Sequence, residues 1–395
     1  MAGFSPPGKE KEAGKNRGKP SGKVADFRYK KRSSQLKSQN KKPDRHPGQA
    51  NAHAAGRSGP RSDTRSGPGP RQAYAALDLG TNNCRLLIAR PSGEDFTVID
   101  AFSRVVKLGE DLATTGRLSD GAMNRTLDAL KVCSDKLRRR NVFLARSVAT
   151  EACRRASNGA EFIERVRQET GIMLDIISAE EEARLAVLGC HILLEHGSGP
   201  AVIFDIGGGS TELVLLEQGG ETVPNILDWL SVPWGVVALT DTVARIGGSN
   251  DDRLARYKEM RRVVSESLIP FAQRIKGAAK SADIRLLGTS GTVTTLASLH
   301  LELQHYDRKA VDGLIVPSKA MRDISERLSN MSRNERGDLP CIGQDRSELV
   351  VAGCAILESI LDIWPAEKLG VADRGIREGI LRSLMAIPPK SEQTA

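Results

Sequence analysis

One pattern occurs twice in this chain of 395 residues, and it limits the available folds more than any other feature. At Ala201–Leu216, AVIFDIGGGSTELVLL, an apolar run ends in Asp205. Three glycines and Ser210–Thr211 follow, and a second apolar run begins at Leu213. At Ala75–Ile88, AALDLGTNNCRLLI, Asp78 aligns with Asp205, Gly80 with Gly207, and Thr81–Asn82–Asn83 with Gly208–Gly209–Ser210. Two short strands joined by such a turn read as a hairpin. Glycines let the backbone approach an anion and aim successive N–H groups at it. A carboxylate at the strand end can hold a cation or a water. A single copy is also what a plain glycine turn looks like. Two copies 127 residues apart, one domain length, point to two lobes facing one phosphate-sized cleft.

The length leaves ample chain for two cores. The six cysteines form no CxxC pair and the six histidines no HExxH or H-x-E motif, so neither a disulfide frame nor a zinc site is expected. Reduced thiols fit a cytoplasmic protein. No apolar run reaches membrane-spanning length, and with no apolar stretch near residue 1 no secretory signal is expected. The net charge of +9 belongs to one segment: residues 1–71 hold 18 Lys/Arg against 5 Asp/Glu, about +13, leaving about −4 for the rest. That segment is rich in Lys, Arg, Gly, Ser and Pro and too poor in apolar residues to fold, so a disordered basic tail is expected. It solubilises the chain, or it contacts polyanions such as RNA weakly through counterion release.

Beyond the tail the pattern alternates strands and helices. Ala73–Arg90 reads as strand–turn–strand and Phe96–Val106 as a third strand. Ser119–Arg140 reads as a helix capped at Ser119 or Asp120, and Asn141–Thr150 as a strand. A helix capped by Asn158 runs to Gly171, and a strand follows at Ile172–Ile177. In SAEEEARLAVLGCHILLEH, Ser178 and Glu181 form an S-x-x-E capping box. Further on, Arg253–Lys276 reads as a helix and Ile284–Leu287 as a strand. GTSGT (Gly288–Thr292) turns into another helix. Asp345 and Glu348 read as a second capping box before Leu349–Trp364. A strand Leu369–Asp373 and a helix Gly375–Met385 close the fold.

DLGTNN, ATEACRRA, AEEEARL, DIGGGST and GTSGT together resemble the Ppx/GppA family of exopolyphosphatases and guanosine pentaphosphate phosphohydrolases. The resemblance runs from about Ala73 to Leu384. It implies an α/β fold of two actin-like (ribonuclease-H-like) lobes around a central cleft. The expected division is a tail at 1–71, lobe I at 72–187, lobe II at 188–388 with its last helix free to pack back on lobe I, and a disordered end at 389–395.

Physical chemistry and resemblance meet at the site. Three carboxylates, Glu180, Glu181 and Glu182, open a helix, where acids also favour the helix dipole. Glu181 serves the cap, and the resemblance makes Glu182, directly before Ala-Arg-Leu, the base that activates water. It makes Arg154 the phosphate-binding arginine, rather than Arg155, with Glu151 holding the loop. Asp205 completes the catalytic set. Asp205, Glu212 and Asp78 are the expected Mg²⁺ carboxylates, in part through water. Glu212 interrupts an otherwise apolar strand, which a cleft-facing position would explain. Substrate contacts are expected from Gly80, Thr81, Asn82 and Asn83, from Gly207, Gly208, Gly209, Ser210 and Thr211, and from Gly288, Ser290 and Gly291.

The chain departs from the family pattern in three respects. Asn83 stands where many members carry Ser or Thr, a basic tail is added, and no HD-type helical domain is expected after Met385. The expected activity is hydrolysis of terminal phosphoanhydrides, on inorganic polyphosphate, guanosine pentaphosphate or both. Two other classes stay open: an actin-fold kinase, for which no acceptor-domain insertion is seen, and a non-enzymatic nucleotide- or polyphosphate-binding regulator. Intact Glu182, Arg154 and Asp205 weigh against the second. No membrane partner is expected, and a homodimer is left open.

Overall fold

The computed structural model describes residues 72–386, apart from 94, 218–223 and 244–246. The tail (1–71) and the chain end (389–395) of the sequence reading lie outside the described residues. The first sheet has the order β3-β2-β1-β4-β5, from β1 (Ala73–Leu79), β2 (Asn83–Ser92), β3 (Asp95–Val105), β4 (Val142–Ala149) and β5 (Leu174–Ile176). The second has the order β10-β11-β9-β6-β7-β8, from β6 (Ala201–Ile206), β7 (Thr211–Leu216), β8 (Ile226–Val232), β9 (Arg285–Thr289), β10 (Ile315–Pro317) and β11 (Lys368–Ala372). The sequence repeat is therefore a repeat in space. In each sheet the glycine-turn hairpin, β1–β2 or β6–β7, is antiparallel, and its first strand runs parallel to the next strand, β4 or β9.

In lobe I, α1 (Leu112–Thr115), α2 (Asp120–Arg139), α3 (Glu151–Arg155) and α4 (Gly159–Thr170) follow the hairpin, and α2 and α4 cover one sheet face. Ser119 caps α2 through the Ala122 amide. Then comes α5 (Ala179–Cys190). The second lobe carries α6 (Val236–Thr242), α7 (Asn250–Ile275), α8 (Gly291–His300), α9 (Arg308–Val311), α10 (Ser318–Asn330), α11 (Arg333–Gly337), α12 (Leu349–Ile363) and α13 (Ile376–Ala386). Helix α12 is apolar on almost every side because α7, α8 and α10 surround it.

Two helices tie the lobes together. Helix α5 leaves the first sheet and packs on β6, β7 and β8 of the second; α13 leaves the second and packs on β1, β2 and β4 of the first. They cross on glycines. A Cβ on Gly189 would lie 2.0 Å from the Gly375 carbonyl oxygen, and one on Gly379 would lie 2.0 Å from that of Leu185.

Three local expectations are corrected. Asn158 is the N-cap residue of α4 but makes no side-chain cap; its amide group bonds the backbone of Leu118 in both directions, at 2.9 and 3.0 Å. Glu348 is the N-cap of α12 without a side-chain cap, and its carboxylate pairs with Arg256 and Arg336 instead, so no Asp345–Glu348 box forms. Ser178 accepts from the Glu181 amide as expected, but the Glu181 carboxylate turns away to Arg146 and Arg184. In each case the side chain takes another partner, Leu118, Arg256 or Arg146 among them, in place of the local cap bond.

Candidate active site

The two hairpin turns and the starts of α3, α5 and α8 converge on a cleft of about 150 Å³ between the sheets. Its lining includes Asp78, Gly80, Thr81, Asn82 and Asn83 from one turn. From the other come Asp205, Gly207, Gly208, Gly209, Ser210 and Glu212, with Ser290 and Gly291 at the head of α8. Each turn is braced by its own lobe. Asn82 and Thr81 carbonyls accept the amides of Val106, Lys107 and Gly109; Gly207 and Gly208 carbonyls accept those of Val236, Val237 and Ala238. The amides of Gly80 and Gly207 close their own turns, on the carbonyls of Asn83 and Ser210.

Glu182 lies in the first turn of α5, 7% exposed, on the cleft wall. Arg154 of α3 holds it: Nη1 donates to Glu182 Oε2 at 3.0 Å and to the Ile177 carbonyl at 2.8 Å, while Nη2 donates to Glu151 Oε2 at 2.5 Å. Burial and the nearby Glu212 carboxylate push Glu182 well above the usual glutamate range, and Arg154 opposes that shift. A buried carboxyl held on the cleft wall in this way is placed for proton transfer. Arg154 itself is absent from the cleft lining, and its donors face these carboxylates and a carbonyl.

Asp78 and Asp205 end equivalent strands, and Glu212 stands opposite Asp205 across the β6–β7 ladder. Glu212 is buried, and Asp78 and Asp205 are partly buried. Burial and the Asp78 charge push Asp205 up to about 6; burial and Asp205 push Glu212 up to about 7. Burial raises Asp78 as well, against the pull of Arg85. Asp78 Oδ1 has no hydrogen-bond partner among the described residues. Crowded, partly orphaned carboxylates of this kind suit a hard divalent cation. No group of three or more His, Cys, Asp or Glu among the described residues stands close enough for a full protein cage. An ion that keeps several waters, as Mg²⁺ does, fits that geometry.

Some expected contacts fall elsewhere. Gly288 is in mid-strand β9, where a Cβ would lie 2.5 Å from the Phe204 ring, so its glycine serves core packing and not the ligand. Thr211 turns inward and donates to the Trp234 carbonyl at 2.7 Å. The Ser210 hydroxyl donates to Glu212 at 2.7 Å, with Ser231 on the same oxygen at 2.9 Å. Ser290 lines the cleft at φ 124°, a strained conformation for a residue with a side chain.

Other residues were not foreseen. Arg85 and Arg346 line the cleft and also an adjoining cavity of about 520 Å³ that reaches Arg377, Arg374 and Tyr306. Arg85 is at the β2 position paired with Asp78. Neighbouring cations therefore crowd it, and burial and Arg377 lower its pKa. Its position seven residues after Asp78, on the cleft strand, was the available signal.

Residues 87–387 match the model of the Ppx/GppA phosphatase family. The chain is 30% identical over 327 residues to exopolyphosphatase 2 of Mycobacterium tuberculosis, covering 78% of this chain and 98% of that protein. Among solved structures it resembles the Aquifex aeolicus member of the Ppx/GppA family, with a TM-score of 0.63 and 28% identity over 79% of this chain and 97% of that one. It also resembles an exopolyphosphatase from Cytophaga hutchinsonii, with a TM-score of 0.69 and 25% identity over 80% and 98%.

Proposed function

The chain belongs to the Ppx/GppA phosphatase family, with its actin-like two-lobed fold, and on that premise we propose that it removes terminal phosphates from inorganic polyphosphate. The observation that carries this reading is Glu182, buried, held by Arg154 and facing glycine turns from both lobes. Guanosine pentaphosphate is the second substrate proposed. The cavity beside the cleft, with Arg85, Arg346 and Arg377, has room for a nucleoside and cations for its phosphates.

In this mechanism the terminal phosphoryl group sits between the turns, where the amides of Thr81, Asn82, Gly208 and Gly209 are not consumed by backbone bonds. Glu182 orients a water and takes its proton as the water oxygen bonds to phosphorus. The bridging P–O bond breaks, and the shortened chain leaves with the electron pair. Arg85 and Arg346 face the charge on the departing chain. Mg²⁺ held by Asp78, Asp205 and Glu212, in part through water, would neutralise phosphoryl charge.

The test of the reaction is phosphate release from long-chain polyphosphate, guanosine pentaphosphate and ATP, measured side by side with Mg²⁺. Release from polyphosphate above that from ATP is expected; release from ATP alone would overturn the reading.

The metal reading has its own test. With Asp205 and Glu212 raised to about 6 and 7, the metal-free folded state keeps protons that the unfolded chain has already lost. Their contribution to stability is full below the unfolded values near 4 and is lost as pH rises through about 6–7. Mg²⁺ binds the ionised pair, so its stabilisation grows over the same window. Without metal, Tm should fall from about pH 5 to about pH 8, and millimolar Mg²⁺ should raise it at the higher pH and hardly at the lower. An equal Mg²⁺ effect at both would place the ion elsewhere.

A further inference from the structure

Thr81 sits at the tip of the β1–β2 turn, yet it is only 5% exposed. Its cover comes from both lobes. On its own side, a Cβ on Gly109 would lie 2.3 Å from Thr81 Cγ2. Across the cleft, a Cβ on Gly209 would lie 2.6 Å from Thr81 Oγ1 and 2.8 Å from Glu151 Cγ, and one on Gly208 would lie 3.0 Å from Thr81 Cβ. None of Gly207, Gly208 and Gly209 has a positive φ. Their backbone is therefore open to other residues, and what the second turn needs from glycine is room. At Gly208 and Gly209 the atoms filling that room belong to the first lobe.

We propose that Thr81 is an interlobe clasp, a positioning residue whose side chain seats in the notch left by Gly208 and Gly209 and holds the cleft closed. At the neighbouring interlobe contact α1 meets α6, where the Asp111 amide bonds the Asp241 carboxylate while the charges of Asp111 and Glu110 oppose it, so attraction and repulsion meet at one place. The contact at Thr81 carries no such opposition and acts by shape. The clasp also sets the site. Glu151, which shares the notch, is tied through Arg154 to Glu182. Seating Gly209 on Thr81 and Glu151 thus fixes the second-lobe amides relative to the base. The link to turnover rests on the proposed function; the clasp itself does not.

The experiment places spin labels at two exposed positions, Asp128→Cys on α2 and Glu259→Cys on α7, in the full chain with the partly exposed Cys341 replaced by Ser. Interlobe distances are read without substrate. Thr81→Val, which keeps the shape, should give the parent distribution. Thr81→Ala should broaden it, and Gly209→Ala should lengthen it by wedging the turns apart. Adding Thr81→Ala to Gly209→Ala should recover part of the closed population, the coupling expected of residues in contact. In turnover, Thr81→Ala should show a KM for polyphosphate about fifteenfold above that of Thr81→Val, the scale of two buried methyls. Distances unmoved in every variant would overturn the clasp. So would Val and Ala variants equally impaired in KM, which would assign Thr81 to hydroxyl contact with phosphate. Failure of the parent protein to release phosphate would count against the proposed substrate and leave the distance result standing.

Discussion

Glu182→Gln should lower the rate of terminal phosphate release by about 10²–10⁴-fold, the range lost with a positioned general base. Substrate binding should be nearly kept. The amide preserves the length and shape of the side chain, and its oxygen can still accept from Arg154 Nη1, which now holds the carboxylate at 3.0 Å. What it cannot do is take a proton from water. The neighbouring Glu181→Gln is the control. The Glu181 amide donates to the Ser178 cap, and the Glu181 carboxylate is half-buried between Arg146 and Arg184. Partly exposed ion pairs of this kind contribute little. Single-turnover release and equilibrium binding, measured on both variants, separate the cases. Equal loss of activity would remove Glu182 from the role of base.

Arg154→Met should cost at least about 10²-fold at neutral pH, by a different route. The substitution keeps much of the side-chain volume but leaves Glu182 and Glu151 without their cation. A buried carboxylate that loses its partner is strongly destabilised or takes up a proton. Arg154 is what opposes the upward shift of Glu182. Without it the Glu182 pKa rises further, the acid limb of the pH–rate profile moves to higher pH, and part of the activity returns in alkaline buffer. Arg154→Lys should fall between, since one ammonium cannot reproduce the fork that serves both carboxylates and the Ile177 carbonyl. The pH profile decides the role. A rise in KM with an unmoved profile would mean that Arg154 grips phosphate directly, as the family resemblance implied.

The contrast between these residues shows where local reading stops. The carboxylate triplet Glu180–Glu182 was legible because it follows a capping serine at a helix start, and the family resemblance singled out Glu182 within it. The arginine in ATEACRRA was equally legible, but its partners were not, because Glu182 lies 28 residues away and meets it only through packing. Gly288 and Gly208 look alike in sequence, each one or two residues before a Ser or Thr in a glycine-rich stretch. Only the fold shows that the room at one is filled by Phe204 and at the other by Thr81 and Asn82. Arg85, Arg346 and Arg377 carry no shared motif. They come from a strand, the segment before α12 and the start of α13, and they meet because the lobes do.

By itself the amino-acid sequence determined the duplicated hairpin, the alternation of strands and helices, the carboxylates at the strand ends and the helix that presents Glu182. These follow from periodicity, turn chemistry and capping, all of which act over a few residues. Tertiary structure alone decided the crossing of α5 and α13 on each other's sheet, the partners of Arg154, the convergence of the arginines and the fit of Thr81 against Gly208 and Gly209. Those depend on distances between atoms far apart along the chain, which are set when two cores pack and not by any local preference.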